Sequence, residues 1–142
     1  MMNMIDYYID LKLPQTKLRD ITIYLPTGYN QKEQNIKLQT KGIHILKESL
    51  EQNFKVIVMG DFNCDLDKYY NVMDRQLKVT YQYRLVHYLH SHGFFDSHRK
   101  SESKPGFTWQ RPNHTSCSRI DGIFFSSDLI NQFIYTGSRL PH

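Results

Sequence analysis

The chain has 142 residues, enough for one domain with a buried core. Its apolar fraction of 39% and charged fraction of 23% are ordinary for a globular protein, and ten tyrosines with eight phenylalanines argue against disorder. The formal charge of +4 leans toward polyanions such as nucleic acid or phosphorylated substrates, while two cysteines, Cys64 and Cys117, make no disulfide framework.

In chain order, residues 1–6 lack the basic start and long apolar core of a signal peptide. No later stretch approaches the ~20 apolar residues of a membrane span, so an intracellular protein is expected, with no membrane partner and no oligomer signal. Residues 7–13 read as a strand closed by Pro14, and residues 20–25 as a second; their short spacing predicts an antiparallel hairpin. Pro26, Gly28 and Asn30 break the pattern. Asn30 and Glu33 have capping-box spacing and predict a helix over 31–52, with Ile36, Ile43, Leu46 and Leu50 on one face and Leu38 and Ile45 widening it. A strand over 55–59 follows, then a polar loop over 64–76. A second helix is expected over 80–92, lined by Tyr81, Leu85, Tyr88, Leu89 and His92 and ended by Gly93. Residues 97–106 read as a polar, basic loop, residues 107–110 and 120–126 as strands, and residues 133–136 as one more. This order describes a mixed α/β layer structure without repeats.

The run Val56-Ile57-Val58-Met59-Gly60-Asp61-Phe62-Asn63 concentrates the chemistry. Four consecutive large apolar residues suit a strand buried on both faces. Gly60 frees the backbone where the strand leaves the sheet. Asp61 and Asn63 then emerge at its C-terminal end, where open α/β sheets place their sites. An Asp-x-Asn after a strand is also a common turn. A calcium loop on Asp61, Asn63 and Asp65 is excluded, because Leu66 stands at its glycine position and Val72 at its glutamate position. A second constellation is Phe107-Thr108-Trp109 followed by Ser118-Arg119-Ile120-Asp121-Gly122, in which Arg119 and Asp121 alone read equally as a surface pair. His87, His90 and His92 lack the spacing of a zinc site: His92 lies on the other, apolar side of the helix, and ordinary polar-face histidines are the plainer reading of the rest. Arg99, Lys100 and Lys104 suit either a phosphate backbone or a solvated loop.

Taken together, Gly-Asp-Phe-Asn, then Thr-Trp, then Ser-Arg-Ile-Asp, with Tyr24 in a Tyr-x-Pro strand end upstream, resemble the endonuclease/exonuclease/phosphatase superfamily. Within this DNase I-like family, retroelement (retrotransposon) endonucleases carry the same motifs in the same order. The resemblance runs from about Tyr7 to Asp128. It implies that residues 1–142 form a single partial domain, a partial DNase I-like layered sandwich of mixed sheets flanked by helices. It implies a magnesium- or manganese-dependent phosphodiester hydrolase with nucleic acid as partner; a phosphoinositide or sphingomyelin substrate on the same fold is the alternative. By resemblance Asp61 aligns and deprotonates the attacking water, Asn63 holds a phosphate oxygen, Tyr24 hydrogen-bonds the scissile phosphate, and Asp121 orients a catalytic histidine. Asp61 and Asn63 are the implied metal-side residues, and Trp109 and Arg119 join Tyr24 and Asn63 in substrate binding. The family also expects an upstream Asn and Glu and a downstream Ser-Asp-His, and these are not in the chain; His142 follows Pro141 instead. The expectation is therefore a truncated or fragmentary nuclease, inactive as it stands, or a non-catalytic remnant that binds nucleic acid weakly.

Overall fold

Alternating apolar residues bring the first two strands together as a hairpin. In the computed structural model, which describes residues 8–13, 16–75, 78–101, 108–113 and 116–132, β1 (Tyr8–Leu13) pairs antiparallel with β2 (Thr16–Tyr24). Along β2, Arg19, Ile21 and Ile23 are buried on one face while Leu18, Asp20 and Thr22 are half-buried on the other.

α1 (Lys32–Glu51) matches the expected helix to within a residue at each end, but its start differs. Its N-cap is Gln31, without a side-chain bond, so the Asn30–Glu33 capping box does not form. The turn that closes with Gln31 N–H donating to the Gly28 carbonyl moves the cap one residue onward. At the other end Asn53, at φ +64°, closes a Schellman motif: its N–H donates to Leu50 and that of Phe54 to Ser49. The buried face consists of Asn35, Leu38, Gln39, Gly42, Leu46 and Ser49, with Ile43, Ile45 and Leu50 only at its margin. Polar residues can occupy that face because each finds a partner. Asn35 donates to the Pro26 carbonyl at 2.9 Å, Gln39 accepts from Leu85 N–H at 2.8 Å, and the Ser49 hydroxyl donates to the Ile45 carbonyl at 2.6 Å.

β3 (Lys55–Asp61) runs parallel to β2. Its Val56 and Val58 are fully buried, whereas Ile57 and Met59 are half-buried, so the strand expected to be covered on both faces is covered on one. The polar loop expected over 64–76 is instead α2 (Leu66–Asp74), capped by the Asp65 carboxylate accepting from Lys68 N–H at 3.1 Å. The second expected helix divides into a 3-10 turn, Tyr81–Tyr83, and α3 (Arg84–Ser91). Gly93, at φ +79°, ends it as expected. Tyr81 and His92 are exposed rather than buried; Tyr83 and Val86 take their place.

β4 (Phe95–Asp96) follows, and the start of the stretch read as a polar loop over 97–106 is instead α4 (Ser97–Ser101). β5 (Trp109–Gln110) and β6 (Cys117–Ser118) form a two-stranded hairpin, and β7 (Asp121–Phe125) returns to the main sheet, followed by a 3-10 segment, Ser127–Gln132. Phe107 and the strand expected over 133–136 lie outside the described residues. The five-stranded sheet has the order β1-β2-β3-β7-β4 and is mixed: β2 and β3 are parallel, the other pairs antiparallel. Ile21, Ile23, Val56, Val58 and Phe124 from the sheet share one core with Leu46 of α1, Tyr69 of α2 and Leu89 of α3. The molecule is thus mixed α/β, with four α-helices among the described residues. No described helix is long and apolar enough to cross a membrane.

Candidate active site

Strand register assembles the site. Tyr24, the last residue of β2, is the partner of Asp61, the last of β3, and Asp61 is the partner of Asp121, the first of β7. Three residues far apart in sequence therefore form one row across adjacent strands, about 10 Å wide at two interstrand spacings. One step below lies the row Ile23–Gly60–Gly122. Gly60 has φ +139°, and a Cβ there would sit 1.9 Å from the Ile23 carbonyl oxygen, so no other residue fits. At Gly122 a Cβ would meet Leu66 at 2.8 Å. Phe124 and Phe62 would follow at 3.3 and 3.7 Å, so the space beside Gly122 is already filled.

The loop beyond β3 fixes Asp61 and Asn63 together. Asn63 adopts φ +47°, which asparagine tolerates, and its N–H donates to Asp61 Oδ1 at 2.9 Å. Its side-chain amide donates to the Leu25 carbonyl, and Leu25 N–H donates to the Asp61 carbonyl at 2.9 Å. The ends of β2 and β3 are thereby tied to each other. Desolvation pushes the Asp61 carboxyl above the ordinary carboxylate range; the Asn63 N–H opposes this, and the charge of Asp121 across the register adds to it. A carboxylate raised in this way holds a proton more readily, the direction a general base requires. Tyr24 is 50% exposed and Asp121 is exposed, so the row opens to solvent.

Thr108 matters beyond its place in the Thr-Trp motif. Its hydroxyl oxygen accepts from Ile120 N–H at 2.9 Å and from Asp121 N–H at 3.1 Å, and its own N–H donates to the Ser118 carbonyl. The β5–β6 hairpin, with Trp109 at its base, is thereby stapled to the start of β7.

Arg119 is not brought to the row. The surface pair with Asp121 does not form; the guanidinium is 2% exposed and bonds to Asp96 at 2.7 and 3.1 Å and to Asp67 at 3.0 and 3.1 Å. Burial alone would lower its pKa, but Asp96 and then Asp67 outweigh that and hold it above its ordinary value. The substrate contact expected of Arg119 is not what its geometry offers, because every nitrogen of the guanidinium is already engaged inside the protein. Tyr70 completes the cluster by donating its hydroxyl to Asp96 at 3.2 Å.

The histidines have other company. His87 lies 3.0 Å from the Tyr69 hydroxyl, His90 meets Tyr69 and Tyr70 edge-on, and His92 stacks on Tyr88. Burial, with the charges of Asp65 and Asp61, pushes the Cys64 thiol up to about 12, which keeps it inert. Arg99 lies over the Tyr70 ring at 3.9 Å, while the Lys100 side chain and Lys104 lie outside the described residues. Among the described residues no three His, Cys, Asp or Glu side chains cluster to hold a metal. Asp61, Asp121 and the Asn63 amide oxygen are hard donors of the kind magnesium takes, but they make only part of a ligand set.

No protein-family model and no curated protein matches the chain. Solved structures do. A variant of the 3′ phosphatase NExo from Neisseria, bound to a product DNA hairpin, matches with a TM-score of 0.57 at 18% identity, over 86% of this chain and 52% of that one. TDP2 from Caenorhabditis elegans matches at 0.56 and 17%, over 84% and 34%. The endonuclease domain of TRAS1, a telomere-specific non-LTR retrotransposon, matches at 0.50 and 13%, over 87% and 51%. At such identities the likeness shows the fold: this chain has the endonuclease/exonuclease/phosphatase, DNase I-like fold. It spans between 34% and 52% of the length of these structures.

Proposed function

We propose that the chain is one partial domain of a metal-dependent phosphodiester hydrolase acting on nucleic acid, and that these 142 residues do not turn over alone. The observation that carries this reading is the in-register row of Tyr24, Asp61 and Asp121, with Asn63 tied to its centre. The net positive charge and the DNA hairpin held by the NExo variant support a nucleic-acid substrate. In this reading Asp61, kept basic by partial burial, orients a water and takes its proton as the water oxygen bonds to phosphorus; the bond from phosphorus to the leaving oxygen breaks, and that oxygen takes a proton from solvent. The Tyr24 hydroxyl, half exposed on the neighbouring strand, donates to a non-bridging phosphate oxygen. The second amide hydrogen of Asn63 donates to the same group, its first being bonded to Leu25. Asp121 holds the position from which a carboxylate would orient a histidine. Magnesium or manganese, when bound, would neutralise charge on the phosphoryl oxygens; Asp61 and Asn63 would contribute to holding it. The share of the matched structures that the chain spans supports the part of this reading in which these residues do not turn over alone.

Supercoiled plasmid with magnesium tests both statements. The 142-residue chain is expected to leave it intact, and nicking that disappears in Asp61→Ala would overturn the inactivity. Extended to the length of a whole domain, the protein is expected to nick, with Asp61→Ala slower by about 10²–10⁴-fold. Equal nicking by that variant would overturn the assignment of Asp61.

A further inference from the structure

The sheet order leaves β1 with a neighbour on one side only among the described residues. An edge strand presents backbone N–H and C=O groups that can pair with another strand, and folds ordinarily blunt such edges with a bulge, a proline or a very short strand. β1 has none of these: its six residues run in unbroken register with β2, from Tyr8 opposite Ile21 to Leu13 opposite Thr16. It also gathers apolar exposure, with Tyr8 at 45%, Ile9 at 66% and Leu11 at 48%. Register sorts these residues onto two faces. Ile9 opposes Asp20 and Leu11 opposes Leu18, which places both on the face turned away from the core. Tyr8 and Asp10 lie on the other face, where Arg19 bonds to Asp10 at 2.8 and 3.0 Å and stands 4.2 Å from the centre of the Tyr8 ring.

A second copy of the same strand complements this pattern in one register. When a two-fold axis perpendicular to the sheet continues it, β1 meets β1 antiparallel and the pairing is centred on one residue that opposes itself. Centred on Asp10 it sets two carboxylates against each other, and centred on Lys12 two ammonium groups. Centred on Ile9 it overlaps only residues 8–10 of the strand. Centred on Leu11, Leu11 opposes its own copy, Ile9 opposes Leu13, and Asp10 opposes Lys12 on both sides of the axis. That register alone joins apolar positions on one face and opposite charges on the other.

We propose that β1 is a self-association edge, through which two copies of this chain join antiparallel about Leu11 into one continuous sheet. A contact of one strand pair is small, so the dimer is weak and reversible. β1 pairs with residues 16–21 of β2, away from Tyr24, so the row of Tyr24, Asp61 and Asp121 stays open and the proposal stands or falls apart from the hydrolase reading.

Sedimentation velocity of the 142-residue chain over about 5–500 μM should show monomer passing to dimer. Leu11→Lys puts like charges on the axis, and Lys12→Glu sets a carboxylate against Asp10; each should weaken the dimer about tenfold or more. Circular-dichroism melts matching the wild type would show that the fold is retained, as the exposure of Leu11 requires. Covalent capture reads the register itself. Position 11 faces its copy at about 4.5–5.5 Å between Cα atoms, within reach of a disulfide, whereas the two copies of position 9 stand about 14 Å apart. Mild oxidation should therefore convert Leu11→Cys to a covalent dimer, and should do so for neither Ile9→Cys nor the wild type with its Cys64 and Cys117. A chain that stays monomeric over the whole range, a dimer untouched by both charge variants, or equal crosslinking by Ile9→Cys and Leu11→Cys would overturn the proposal.

Discussion

Replacing Arg119 by methionine should unfold much of the protein's stability, although the residue reads from sequence as a surface or substrate contact. The substitution removes four side-chain hydrogen bonds of 2.7–3.1 Å and leaves two carboxylates without their counter-ion. The two do not suffer equally. The Asp67 side chain is 25% exposed and can be rehydrated, at a cost nearer that of an exposed pair, about 0–1 kcal/mol. The Asp96 side chain is 1% exposed and, among the described residues, keeps the Tyr70 hydroxyl and the His98 N–H as donors. Breaking a buried pair from one side costs about 3–5 kcal/mol, a large share of the roughly 5–15 kcal/mol that holds a domain folded. Urea unfolding followed by circular dichroism should therefore show a loss of about 3–5 kcal/mol for Arg119→Met. The double variant Asp96→Asn with Arg119→Met should recover part of it, because the stranded charge is gone. A loss of about 0.5 kcal/mol or less would refute the argument and return Arg119 to the surface.

Gly60→Ala should fail to fold or lose well over 3 kcal/mol by the same urea assay, because backbone strain and a 1.9 Å approach to the Ile23 carbonyl combine. Gly28→Ala meets no atom within 4 Å and should lose only about 1–3 kcal/mol, the strain of its φ alone. Asp20→Asn should raise the melting temperature at neutral pH. Desolvation holds the Asp20 carboxyl above its unfolded value, and its Oδ1 is buried without a hydrogen bond among the described residues. The wild type is thus most favoured below the unfolded pKa and loses stability as pH rises through the folded one. Melts across acid to neutral pH should show the variant's advantage vanish at the acid end, and a constant advantage would contradict the linkage.

What sequence reading could reach follows from how local each signal is. The hairpin of β1 and β2, the helix α1, the strand β3 and the Gly93 stop all rest on contiguous patterns, and each is present. α2 was equally legible: Asp65 as cap is followed by Leu66, Tyr69, Tyr70 and Met73 at helical spacing, but the acidic and basic residues between them read as loop. The buried face of α1 was not, since Asn35 and Gln39 enter the core only because Pro26, Tyr81 and Leu85 supply partners from distant segments. The row of Tyr24, Asp61 and Asp121 stands between these cases. Each residue is marked by its own motif, yet their adjacency is a property of register, which parallel pairing through α1 and antiparallel return through β7 set together. Arg119 shows the limit most sharply. Two positions before Asp121, it has the same local pattern as a surface pair, and only the approach of α2 and β4 turns it inward. The same burial that removes it from substrate contact helps lock the strand carrying Asp121, because the Arg119 carbonyl accepts Leu66 N–H and the Ile120 carbonyl accepts Phe62 N–H from the loop that carries Asp61. The two carboxylates of the row are therefore held in place by residues that never face it.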